Sequence, residues 1–161
     1  MFDMSKVMNS DDAVSANFAE VFVTLNDRRY SMLMCKKFEG KAGVENHEVN
    51  RLGTLIKGHK PGLVELSFTM TIYKCTEIID DVIETYLKTG VMPRFEIQTS
   101  NEDPATSSTL GRSTKVYNGC TLDGDVLLSL ADAEGGFIEQ EISGFAESYT
   151  RPEKFNNPSY M

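Results

Sequence analysis

At 161 residues and 18.0 kDa the chain has room for one core that removes roughly two thirds of its unfolded surface from water. Its 40% hydrophobic and 25% charged residues are those of a globular chain rather than a disordered one, and a net charge of −8 argues against nucleic acid as a bound ligand. No stretch approaches the roughly 18 apolar residues of a membrane span and no leader-like start is visible, so a soluble protein made in the cytoplasm is expected.

Residues 1–19 lack sustained periodicity and read as an N-terminal arm, followed by a single domain over 20–150 and a C-terminal arm over 151–161. Glu20 to Leu25 and Tyr30 to Lys37 are β-rich runs around a hairpin turn at Asn26-Asp27-Arg28-Arg29. Phe38 to about Asn50 continues as a strand bent at Gly40 and Gly43. Arg51 to Gly62, with its glycines, proline, three Lys or Arg and His59, reads as a long exposed loop. From Leu63 to Lys74 the chain alternates: Val64, Leu66, Phe68, Met70 and Ile72 on one parity, Glu65, Ser67, Thr69, Thr71 and Tyr73 on the other. That pattern is a strand with one face in oil and one in water.

Thr76 is placed to cap a helix whose Ile78, Ile79, Val82, Ile83, Tyr86 and Leu87 share one side, with Gly90 as its stop. Strands are expected over Arg94 to Thr99, Arg112 to Leu122, Val126 to Leu130 and Phe137 to Tyr149, separated by a polar loop from Ser100 and turns near Gly124 and Gly135. In the last strand Glu139, Glu141 and Ser143 share a parity opposite to Ile138 and Ile142. The predicted core is Val64, Leu66, Phe68, Met70, Ile72, Ile138 and Ile142, covered by the helix.

The residue types that carry chemistry are sparse. Cys35, Cys75 and Cys120 are odd in number and lack C-x-x-C spacing, so they read as small buried apolar residues and not as a disulfide or thiolate metal site. His47 and His59 sit in polar or glycine-rich surroundings and read as surface residues. Asp123, Asp125 and Glu134 occupy the first, third and twelfth places of a calcium loop, yet Leu127 and Leu128 fill positions that need an oxygen ligand and a glycine. No catalytic, cofactor or metal site is expected. Charge is segregated instead: eight bases against three acids from Arg28 to Lys60, then seven acids and no Lys or Arg from Val116 to Thr150. Such a chain can attract a copy of itself head to tail.

Gly58-His59-Lys60, the threonine-bearing strand ending Tyr73-Lys74-x-Thr76, the helix closing Tyr86-Leu87-Lys88-Thr89-Gly90, and Phe95-x-Ile97 before Glu102-Asp103-Pro104 come in an order that resembles the tail tube proteins of PBSX-like defective prophages and related contractile-tailed phages, R-type bacteriocins among them. The likeness runs from about Val21 to Phe155. It implies a mainly β fold with one α-helix, a small β-barrel or sandwich that assembles as a hexameric ring with a continuous inner β-barrel. It also implies a structural subunit whose partners are other copies of itself and the sheath, baseplate and terminator proteins of a tail, in a virion or tail-like particle. On that footing Glu65, Ser67, Thr69, Thr71, Glu139, Glu141 and Ser143 are expected to face a channel through which DNA passes without specific binding. Lys41, Lys57, His59 and Lys60 are expected to meet Asp123, Asp125, Asp132 and Glu134 of the next ring. A monomeric small β-barrel binding a ligand inside is the alternative that the same alternation permits.

Overall fold

The computed structural model describes residues 7–161, so the start of the expected N-terminal arm, residues 1–6, lies outside the described residues. The described chain forms eight strands and one α-helix: β1 (Ala19–Leu25), β2 (Arg28–Ser31), β3 (Cys35–Val49), β4 (Gly58–Tyr73), α1 (Ile78–Thr89), β5 (Phe95–Asn101), β6 (Ser113–Asp123), β7 (Glu139–Ala146) and β8 (Ser148–Glu153). A 3-10 turn at Ser10–Asp12 precedes them, with the Asn9 side chain accepting from Asp11 N. The described residues divide into two compact units, one of residues 7–33, 93–119 and 148–161, the other of residues 34–92 and 120–147.

In the first unit the strand order is β2-β1-β5-β6, and β8 also pairs with β6. Asn26 and Asp27, both at positive φ (53° and 64°), make the two-residue β1–β2 turn whose twist matches the strands it joins. Val23, Leu25, Met32, Phe95, Ile97, Leu110 and Tyr117 are its buried apolar residues. The buried Asp103 carboxylate accepts from Ser15 N and from Ala105 N, each at 2.9 Å, and Glu102 N donates to Phe18 O, which ties the segment before β1 to the loop after β5. At the end of β8 the Glu153 carboxylate receives Arg112 Nε at 2.5 Å and Nη2 at 2.7 Å, and Thr114 Oγ1 at 2.8 Å.

In the second unit the end of β6 is followed by β7, β4 and β3, all antiparallel. Phe68, Met70, Ile72 and Ile142 are at most 2% exposed, and Ile79 and Val82 are the buried residues of α1. The helix begins one residue later than Thr76 capping would place it. Glu77 holds the N-cap position without a side-chain bond, while Gly90 ends the helix at φ 74°, as expected from a residue free of a Cβ. Phe68 lies between Gly40 on β3 and Gly144 on β7, and its ring stacks on Phe38 at 6.3 Å.

The structure corrects further readings. The run Tyr30 to Lys37 is not one strand, since β2 ends at Ser31 and β3 begins at Cys35. β4 begins at Gly58, so the expected loop over Arg51 to Gly62 shrinks to residues 50–57, and His47 and His59 stand exposed on strands. Val126 to Leu130 forms no strand. Val64 and Ile138 are exposed and not core: β7 pairs with β4 only from Leu66 to Tyr73, so nothing in the sheet covers Val64, and Ile138 precedes β7. Cys75 is exposed, Cys35 half-buried, and Cys120 alone is buried; burial pushes the Cys35 thiol pKa up.

A Cβ on Gly144 would strike the carbonyl of Thr121 and stand 3.0 Å from the Phe68 ring. Gly144→Ala is expected to cost about 3 kcal/mol, by overpacking against backbone that cannot step aside, seen as a lowered Tm. The Arg112 and Thr114 bonds hold the Glu153 pKa down at about 2. A depressed carboxylate pKa stabilises the folded state above its ordinary value, and that contribution fades as pH falls from about 4.5 to about 2. Amide protection along β8 should weaken over that window, and Glu153→Gln should remove the pH dependence.

Candidate functional site

The alternation of β4 organises a polar face three strands wide. Residues directly opposite one another share a face, so each row can be read from the register. Lys37, Thr71 and Glu141 form one row; Glu39, Thr69 and Ser143 the next; Lys41, Ser67 and Phe145 a third; and Glu139 stands opposite Tyr73. Glu65 lies farther along, opposite Gly43. All seven residues assigned to the channel therefore occupy one side of one sheet, half-buried or exposed, with Met70, Ile72 and Ile142 on the other side.

The lysines on this face are each paired with a carboxylate. Glu39 sits between Lys37 Nζ at 2.7 Å and Lys41 Nζ at 3.2 Å, and Lys36 Nζ reaches Glu139 at 3.1 Å. The two lysines depress the Glu39 pKa, hydrogen bonding first, and Glu39 in turn raises that of Lys37. Ser143 Oγ donates to Asp123 O at 2.9 Å. Sequence reasoning put only hydroxyls and acids here. It missed the basic partners on β3, although Lys37, Glu39 and Lys41 alternate with Phe38 and Gly40 and so carried the signal.

The residues assigned to contacts between rings fall at the two ends of the second unit. Lys57, His59 and Lys60 lie at the tip of the β3–β4 hairpin, where Lys57 pairs with Glu48 at 3.1 Å. Asp123 ends β6, and Asp125, Asp132 and Glu134 are exposed on the loop between β6 and β7, where Asp132 Oδ1 accepts from Glu134 N at 3.0 Å. Lys41 stands apart from both groups, on the polar face.

That loop is anchored from below. Lys74, whose side chain is 8% exposed, donates to Asp80 Oδ2 at 3.1 Å, Leu128 O at 3.0 Å and Leu127 O at 2.5 Å. Gln140 Nε2 adds a bond to Leu127 O at 3.2 Å. Among the described residues no group of three or more His, Cys, Asp or Glu is placed to hold a metal ion, and no helix is long and apolar enough to cross a membrane.

Residues 6–151 match the phage tail tube protein family. The chain belongs to that family. It is 29% identical over 126 residues to the phage-like element PBSX protein XkdM of Bacillus subtilis (strain 168), covering 78% of this chain and 84% of that protein. It is 27% identical, over the same shares, to the uncharacterized protein YqbM of the same organism. Its fold is that of the anti-feeding prophage tube-terminating cap, with a TM-score of 0.65 at 15% identity over 94% of this chain and 98% of that one. The PVC sheath–tube complex of an extracellular contractile injection system matches at a TM-score of 0.61 and 13% identity over 94% and 98%. The SPP1 tail tube matches at 0.60 and 11% over 89% and 81%. The expected mainly β tail-tube fold with one helix is thus found, and the tail tube family is one of structural proteins, not enzymes.

Lys74→Ala would strand the Asp80 carboxylate and the Leu128 carbonyl and leave Leu127 O to Gln140 alone. It is expected to cost about 3 kcal/mol in thermal unfolding and to open the 124–138 loop to limited proteolysis.

Proposed function

We propose that copies of this tail tube family member close into six-membered rings that stack as the inner tube of a contractile phage tail or phage tail-like bacteriocin, enclosing a channel for DNA or ions. The observation that carries the reading is the polar face: hydroxyls and paired charges spread over β3, β4 and β7, backed by a closed apolar side. In this reading Glu65, Ser67, Thr69, Thr71, Glu139, Glu141 and Ser143 border the channel. A wall whose lysines are matched by carboxylates offers a passing polyanion no run of unpaired cations to hold it.

Ring closure answers a liability of the fold. β3 ends its strand order, so its outer edge along Cys35–Val49 presents backbone donors and acceptors to whatever lies beside it. Pairing that edge with the next subunit's sheet would extend the strands into a closed barrel. Between rings, Lys57, His59 and Lys60, with Lys41 farther down β3, would meet Asp123, Asp125, Asp132 and Glu134 of the neighbouring copy. Exposed pairs contribute roughly 0 to 1 kcal/mol each, so they set register while buried contacts supply strength. Sheath and terminator proteins are further partners, in keeping with the assemblies named for the structural relatives, and baseplate proteins would meet the tube's other end. The particle is assembled in the host cytoplasm.

Negative-stain microscopy of the purified chain is expected to reveal hollow rods of uniform width, or rings at low concentration. Lys57→Glu combined with Lys60→Glu should shorten the rods several-fold at unchanged diameter. A species that stays monomeric by size-exclusion chromatography at every concentration removes the tube.

A further inference from the structure

The hairpin of β3 and β4 outruns its sheet. Beyond Leu66 β4 has lost β7 and pairs with β3 alone, and this two-stranded ribbon ends in a tip over residues 50–57. There Leu52 and Leu55 are fully exposed and Ile56 is 73% exposed. The tip is internally tied, since Ile56 N donates to Thr54 Oγ1 at 3.1 Å and Arg51 Nη2 donates to Ile56 O at 3.4 Å. Ile56 has both backbone groups engaged, and the three aliphatic side chains of the tip are exposed.

The opposite end of the same strand carries an apolar groove. Tyr73, Cys75, Phe137 and Ile138 line a cleft of about 580 Å³ that runs on toward Leu128 and Leu130. Phe137 is 86% exposed, with its ring edge-on to Tyr73 at 6.4 Å. Lys74 in the floor is spent on Asp80 and the Leu127 and Leu128 carbonyls, which anchors the cleft, and Glu77 at its Leu128–Leu130 end adds an acid.

Tip and groove are separated by the length of β4, 16 residues, or about 50 Å at strand rise. A chain therefore cannot place its own tip in its own groove, whereas a copy shifted along the strand axis can. Charge favours the same pairing: Arg51 and Lys60 flank the tip beside the Lys57–Glu48 pair, and Asp125, Asp132 and Glu134 lie on the loop that forms the groove's rim. We infer that the Leu52–Leu55–Ile56 tip of one copy docks in the Tyr73–Phe137–Ile138 groove of the next, a head-to-tail apolar joint repeating along the tube. This inference rests on the tube reading and adds the residues that carry the stacking contact.

The native thiol of Cys75 makes the test direct. Leu55→Cys, and separately Leu52→Cys, should give under mild diamide oxidation a ladder of trimers and higher species on non-reducing gels, because each copy offers one thiol at each end. Adding Cys75→Ser should abolish the ladder. Leu55→Asp should leave rings that no longer stack. Rods from the unaltered chain with no crosslink from either cysteine variant, or with dimers only, overturn the joint and leave the tube standing. A chain that forms neither rings nor rods overturns both.

Discussion

The structure depends on the demand that β4 makes of its surroundings. A strand whose side chains alternate between Phe68, Met70, Ile72 and Ser67, Thr69, Thr71 has one admissible orientation, since a slip of a single residue would bury three hydroxyls and expose three large apolar groups. β3 and β7 take their register from it: Phe38 and Ile142 flank Met70 on the closed side, and Glu39 and Ser143 flank Thr69 on the open side. Gly40 and Gly144 are small where they flank Phe68, so the large side chain of the central strand is accommodated by the absence of side chains on its neighbours.

The same strand is longer than the sheet that supports it. A ribbon of two strands is marginal in water unless something covers it, and here its tip carries aliphatic residues where a monomer would carry polar ones. Exposed apolar groups lie at both ends of one element, with opposite charges beside them, and these are the surfaces that the proposed stacking of copies would cover.

The parts legible in the sequence were those governed by local rules. The alternation of β4 and the 3.6-residue spacing and Gly90 stop of α1 each state their structure within a short window, as does the Asn26-Asp27 turn. What was not legible depended on partners far along the chain. Gly58 to Gly62 reads as loop because Gly and Pro break strands, yet here β4 pairs on one side only and the register shifts between Val44 and Asn46, beside the Asn46–Pro61 pair, so the missing Pro61 donor is tolerated. Val126 to Leu130 reads as a strand from its apolar content, but Lys74 and Gln140 claim the carbonyls that a ladder would have used. The polar face is legible in β4 and β7, whereas on β3 the glycines Gly40 and Gly43 mask the alternation that carries Lys37, Glu39 and Lys41.

Lys74 has a bearing on the order of events when subunits meet. By anchoring the loop between β6 and β7 to the start of α1, it fixes the groove's shape in the isolated chain, before any neighbour arrives. In the proposed joint the entropy lost on association would then fall mainly on the incoming ribbon, since the groove is already anchored. If copies join as proposed, an exposed two-stranded ribbon would meet an anchored groove, and polymer growth would have a direction: the two ends of the filament would differ in which of these they present.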